Sequence, residues 1–265
     1  MPLIRIKVIF YEFFMKRSYL LFLIVLVLGV CLSFGLRYFI PRYIPERVPV
    51  ELDVQQIIRE KGESDFSEGV EIFPKELNLE APFYSQAPFA DWAFPWQEAC
   101  EEASILLAAN VYGHHQWTRE EFNEEILKMV DWQEGRFGTY LDTTAVQTQE
   151  ILRDYLHLDS IVHENPTFED VQRILNRGHF IVMFFSGKDL QNPNYKNGGP
   201  LYHVMLIKGY KANQRVVTHD VGTRKGENYV YSWERLEYAM HDFADPIQSG
   251  AKRMLEILPP EELVP

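Results

Sequence analysis

The sequence predicts an α+β domain behind a single membrane-length helix. Three observations carry this: one uninterrupted apolar run near the N-terminus, helical periodicity with capping residues between about 100 and 176, and a series of short apolar runs separated by turn residues after Gly178. Helices first and strands second imply segregated layers, with an N-terminal helical half and a C-terminal antiparallel sheet, instead of an alternating parallel fold.

The run from 19 to 36 holds eighteen residues without a charge, bracketed by Lys16, Arg17 and Arg37. That length suffices to cross a bilayer. Arg5, Lys7, Lys16 and Arg17 precede it and Arg37, Arg42 and Arg47 follow it, which favours a cytoplasmic segment 1–18 and an exported remainder. A cleaved signal peptide fits less well, since only Ser33-x-Gly35 approximates a small-residue cleavage site. Val30 before Cys31 argues against a lipoprotein box. The expected location is therefore the cell membrane, single-pass, with the C-terminal domain outside the cytoplasm.

Charge follows the same partition. Residues 1–50 carry 7 Lys+Arg against 2 Asp+Glu, whereas the rest carries 19 against 36. So acidic an exported part lacks the clustered cations that bind phosphates, so no nucleic-acid partner is expected.

From 37 to 77 the chain reads as an extracytoplasmic stalk. Pro41, Pro45 and Pro49 interrupt regular structure and EKGESDFSEG is polar, although VELDVQQIIREK can form a short helix. The folded domain is expected over 78–258, with a tail at 259–265. About 180 residues can build one core without disulfides.

The elements follow in order. Cys100 to Tyr112 places Ala103, Leu106, Leu107 and Val111 on one face, as an amphipathic helix does. Thr118-x-x-Glu121 is a capping box for a second helix to about Val130. Asp142 or Thr143 can cap a third, to about Tyr155, and Thr167 a fourth, Phe168 to Asn176, closed by Gly178. His179 to Phe185 is a strand buried on both faces. Tyr202 to Tyr210, Gln214 to Asp220, Asn228 to Tyr231 and Arg253 to Leu258 complete the set, with Ser232 capping a last helix to about His241.

Chemistry concentrates on Cys100, the one cysteine outside the apolar run. A helix N-terminus favours a thiolate, and a thiolate attacks better than a thiol. Its base should be a histidine distant in sequence. His203 opens a strand, and Asp220 ends the next. If those strands pair around the turn at Lys211 to Asn213, the two ends meet and the acid can orient the imidazole. His219 would face the opposite side. Read blandly, Cys100 is a small core residue, His203 structural and Asp220 a turn former.

Taken together, LNLEAPFYSQAPF, QEACEEAS, GTYLD, GPLYHVMLIKGY and VTHDVGT resemble the C39-like group of papain-fold cysteine peptidases, over roughly residues 74 to 258. The resemblance implies a papain-like fold, Cys100 as nucleophile, His203 as general base and acid, and Asp220, seventeen residues later, as its orienting partner. It implies Gln86 as oxyanion donor beside the Cys100 backbone N–H, with Gln97, three residues before the cysteine, as the alternative. Family members often carry Gly after the nucleophile. Here Glu101 and Glu102 stand there, and their carboxylates would raise the thiol pKa.

Trp92, Phe94 and Trp96 either line a substrate cleft or fill the core; Trp96 and Gln97 are the expected substrate contacts. His114-His115 lacks the spacing of a metal site, and neither a metal nor a cofactor is expected. The expected activity is cleavage of peptide or isopeptide amides in a peptide or protein substrate through a thioester. The alternatives are a catalytically silent peptide- or envelope-binding module, or an acyl transferase or peptidoglycan amidase using the same residues.

Overall fold

Seven strands form one antiparallel sheet whose core strand, β3 (Phe180–Ser186), is buried along its whole length. The computed structural model describes residues 46–62, 73–113, 115–260 and 263. The charge-free run at 19–36 lies outside them. Among the described residues, no helix is long and apolar enough to cross a membrane.

The element order is α1 (Val54–Gly62), β1 (Leu77–Asn78), α2 (Cys100–Tyr112), α3 (Arg119–Phe137), α4 (Ala145–Asp154), β2 (Ser160–Glu164), α5 (Phe168–Asn176), β3, β4 (Tyr202–Lys211), β5 (Arg215–His219), β6 (Tyr229–Ser232), α6 (Trp233–Ala239) and β7 (Arg253–Ile257). The sheet runs β2-β7-β3-β4-β5-β6, with β1 added to β4. The last strand thus inserts between β2 and β3. Mixed helices and an antiparallel sheet match the expected α+β class.

Three helix starts are fixed by reciprocal capping boxes, which satisfy backbone donors that the helix leaves open. They join Thr118 with Glu121, Thr144 with Gln147 and Thr167 with Asp170. The third helix is therefore capped by Thr144 and not by Asp142 or Thr143, whose N–H and hydroxyl turn to the Glu101 carboxylate at 2.8 and 3.3 Å. Helix α3 outlasts its expected end, continuing to Phe137 and closing on Gly138 at φ 77°. Trp132 holds this extra length by packing on Phe137 and Tyr155.

Helix α2 differs from the amphipathic reading. Twelve of its residues are buried and only Val111 is partly exposed, because α3 covers one side and strands β3 and β4 the other. It is a core helix that buries even its polar residues Glu101, Glu102, Ser104 and Asn110. Its hydroxyl at Ser104 donates to the Val204 carbonyl at 3.2 Å, tying it to β4.

The stalk assignment for 37–77 is corrected between 47 and 62. Val54 and Ile58 of α1 are buried, and Leu52 bridges Leu79. The anchor is Lys208, the extra residue of a bulge where Ile207 pairs with Thr218 and Gly209 with Val217. Its fully buried ammonium reaches Glu51 Oε1 at 2.5 Å, Asn78 Oδ1 at 3.0 Å and Asn228 Oδ1 at 2.9 Å. Gly209 allows β1 its approach, since a Cβ there would lie 2.5 Å from the Leu77 carbonyl oxygen.

Candidate active site

Strands β4 and β5 form the expected hairpin, with Lys211 opposite Arg215 and Leu206 opposite His219. The chain end after β5 therefore lies beside the start of β4. His203 Nε2 stands 2.9 Å from Asp220 Oδ1, and both side chains are buried. With Nε2 on the carboxylate, Nδ1 is the nitrogen left to take a proton from a nucleophile.

Asp220 is held more firmly than the hairpin alone would hold it. Its Oδ2 accepts from Asn192 Nδ2 at 2.8 Å, Tyr195 Oη at 2.7 Å and Tyr231 Oη at 2.7 Å, and its Oδ1 also accepts from the Gly222 N–H at 3.2 Å. Burial alone would raise its pKa, but His203 and the tyrosine hydroxyls outweigh burial and hold the carboxyl below its ordinary value. Gly222 is required here: a Cβ would sit 2.7 Å from His203 Cε1. Tyr195 flanks the imidazole edge-on, with ring centroids 5.5 Å apart.

His219 takes no part in this cluster. It is buried on the other side of its strand, Nε2 on the Ala81 carbonyl at 3.1 Å, and burial depresses its pKa to about 3.

Cys100 opens α2, as expected, at a helix end that no side chain caps. It lines the same cavity as His203 and Gln86, a cleft of about 810 Å³. The thiol donates to Glu101 Oε2 at 3.0 Å. Burial first, and then the Glu101 carboxylate, push the Cys100 pKa well above its ordinary value, while the Val204 backbone N–H, next to His203, pulls it down. Glu101 Oε1 is meanwhile fixed by the N–H of Thr143 at 2.8 Å and its hydroxyl at 3.3 Å. Burial and Glu102 raise the Glu101 pKa in turn.

Gln86 and Gln97 both line the cleft, in different ways. The Gln86 Nε2 donates to the Trp96 and Gln97 carbonyls at 2.9 and 3.0 Å, so its amide braces the turn that leads into Cys100. Its Oε1 is buried without a partner among the described residues. Gln97 Nε2 bonds Glu98 Oε1 at 2.9 Å. Trp96 does not line this cavity, and its indole N–H donates to Asn123 Oδ1 at 2.8 Å. Trp92 takes the place on the cleft wall.

A family model described as the Peptidase_C39 like family matches residues 78–243. The chain belongs to this family. A crystal structure of a C39-like peptidase from Bacillus anthracis is similar to it at 14% identity and a TM-score of 0.48, covering 70% of this chain and 98% of that one. No curated protein matches.

In this C39-like domain, Asn192, Tyr195 and Tyr231 are the site residues that sequence reasoning missed. Asn192 and Tyr195 lie in the turn-rich NPNYKNGGP segment, where composition signals a loop and nothing signals a bond to Asp220. Tyr231 ends an apolar run and reads as core.

Proposed function

We propose that the domain cleaves peptide or isopeptide amide bonds as a cysteine peptidase. The observation that supports this most is one cavity lined by both a helix-start thiol and an imidazole whose far nitrogen meets a carboxylate with five donors. In this reading Cys100 Sγ attacks the carbonyl carbon as its proton passes to His203 Nδ1. The imidazolium then protonates the leaving nitrogen, and water hydrolyses the thioester. Asp220 fixes the tautomer and stabilises the imidazolium. The thiol rests neutral, so the proton moves during attack instead of beforehand.

The developing oxyanion has the Cys100 N–H at the uncapped start of α2 and a glutamine amide as donors. Gln86 serves by releasing one of its two carbonyls; Gln97 stands nearer solvent on the same wall. The segment 19–36 is proposed as the membrane anchor, with the domain outside the cytoplasm.

One observation favours the silent binding module: the thiol hydrogen bonds a carboxylate that opposes its ionisation. A transferase or peptidoglycan amidase would use the same residues with a different acceptor. Digestion of a peptide library and of envelope fragments by the full chain and by Cys100→Ala separates these readings. New products that vanish in Cys100→Ala and in His203→Ala support hydrolysis; identical digests with retained ligand binding support the module.

A further inference from the structure

The reacting groups aside, the charged lining of the cleft consists of Glu98 and three cations, Lys196, Arg224 and Lys225. This is unexpected in a region where 36 acidic residues face 19 basic ones. The three cations are solvent-exposed and none forms an ion pair among the described residues. Unpaired cations grouped at one cleft, in a domain rich in available carboxylates, concentrate a positive field where a ligand enters.

The cations also share one wall. Lys196 follows Tyr195, which bonds Asp220 and flanks the His203 ring. Arg224 and Lys225 follow Gly222, which lies directly against that ring. Glu98, by contrast, sits in the turn Trp96–Glu98 that leads into Cys100. The cleft is therefore polarised, with an acid on the thiol wall and cations on the imidazole wall. A histidine acting as general acid must reach the leaving nitrogen, so the half of the substrate that departs first lies along the imidazole wall.

We propose that Lys196, Arg224 and Lys225 select substrates bearing a carboxylate in the leaving half, within about three residues after the scissile bond. The inference rests on the amide-cleaving reading above. The carboxylate has two sources, an Asp or Glu side chain or a free C-terminus close to the cut.

The test digests a peptide library with the full chain, each peptide made both as a C-terminal acid and as a C-terminal amide. Wild type should cut carboxylate-bearing sequences about tenfold faster than their Gln or Asn counterparts, the effect of two or three solvent-facing ion pairs. The preference should shrink in 0.5 M salt. It should invert towards Lys and Arg in the variant Lys196→Glu/Arg224→Glu/Lys225→Glu. A preference kept by the amides identifies side chains; one confined to free acids identifies the terminus. Equal rates for carboxylate and amide peptides, or the same preference in wild type and triple variant, would overturn the proposal. Should wild type cleave nothing, the peptidase reading fails and binding decides instead. Fluorescent Glu and Gln peptides are then titrated into Cys100→Ala: a tenfold tighter Glu peptide that loses its advantage in the triple variant upholds the cationic wall, and equal affinities reject it.

Discussion

The Cys100 thiol donates to its sequence neighbour Glu101 at 3.0 Å, and the same carboxylate is pinned from behind by the N–H of Thr143 at 2.8 Å. The thiol thus rests against a fixed acceptor that opposes its ionisation. Glu101→Gln keeps an oxygen for Thr143 and removes the charge beside the sulfur. Iodoacetamide should alkylate Cys100 several-fold faster at pH 7 in this variant, because removing a neighbouring carboxylate lowers a thiol pKa. An unchanged or slower rate would mean that Glu101 carries no charge there.

Asp220 gives a pH signature. Its folded pKa is depressed, so its stabilising contribution is complete above an unfolded value of about 4 and is lost as the pH falls through the folded value. The melting temperature of Asp220→Asn should lie below that of wild type at pH 7, and the gap should close below about pH 4. Amide cleavage should fall roughly 100-fold at neutral pH, the low end of what a misoriented acid–base pair loses.

Glu102 behaves in the opposite sense. Burial raises its pKa to about 7, while the amide of Gln133 bonds its Oε1. Its Oε2 and the Gln133 Oε1 both lack partners among the described residues. A buried carboxyl oxygen with no donor gives its charge no compensation, in keeping with the raised pKa. A carboxyl raised in the fold stabilises below its unfolded pKa and loses that contribution as the pH rises through 7. Glu102→Gln should therefore be more stable than wild type above pH 8, by up to about 3 kcal/mol, with the difference vanishing near pH 4. Urea unfolding at the two pH values measures it.

Gln86→Glu tests the brace. Two carbonyl oxygens at 2.9 and 3.0 Å select an NH2 group at Nε2, and a carboxylate oxygen there would meet them with like charge. The variant should lose about 2 kcal/mol of stability, the cost of unsatisfied buried polar groups, as well as activity. Gln97→Ala should leave stability unchanged.

Much of this architecture was legible in the sequence because local signals were strong. Cys100–Tyr112 and Phe168–Asn176 match their expected bounds, the second announced by Thr167 and closed before Gly178. The His203–Asp220 neighbourhood followed from hairpin pairing alone. What escaped notice depends on tertiary context. Strand β2 is a partly exposed edge, with Ile161 45% exposed, so SIVHE shows no apolar run. Trp96 reads like a cleft aromatic until Asn123, on a helix 27 residues away, captures its indole. The extra donors on Asp220 come from two separate loops and a strand, a convergence that no spacing rule encodes.

The docking of residues 47–62 decides where a fragment can be cut. Trimming the chain at residue 78, where the family match begins, would delete Glu51 and the buried Val54 and Ile58. The Lys208 ammonium would lose its only carboxylate partner among the described residues, the kind of loss that costs about 3 to 5 kcal/mol when the remaining charge stays buried. A fragment starting at residue 47 should express and melt cooperatively, while one starting at 78 should aggregate or be digested. The minimal stable domain thus starts about thirty residues before its family signature, and its N-terminal boundary is set by one lysine on the sheet.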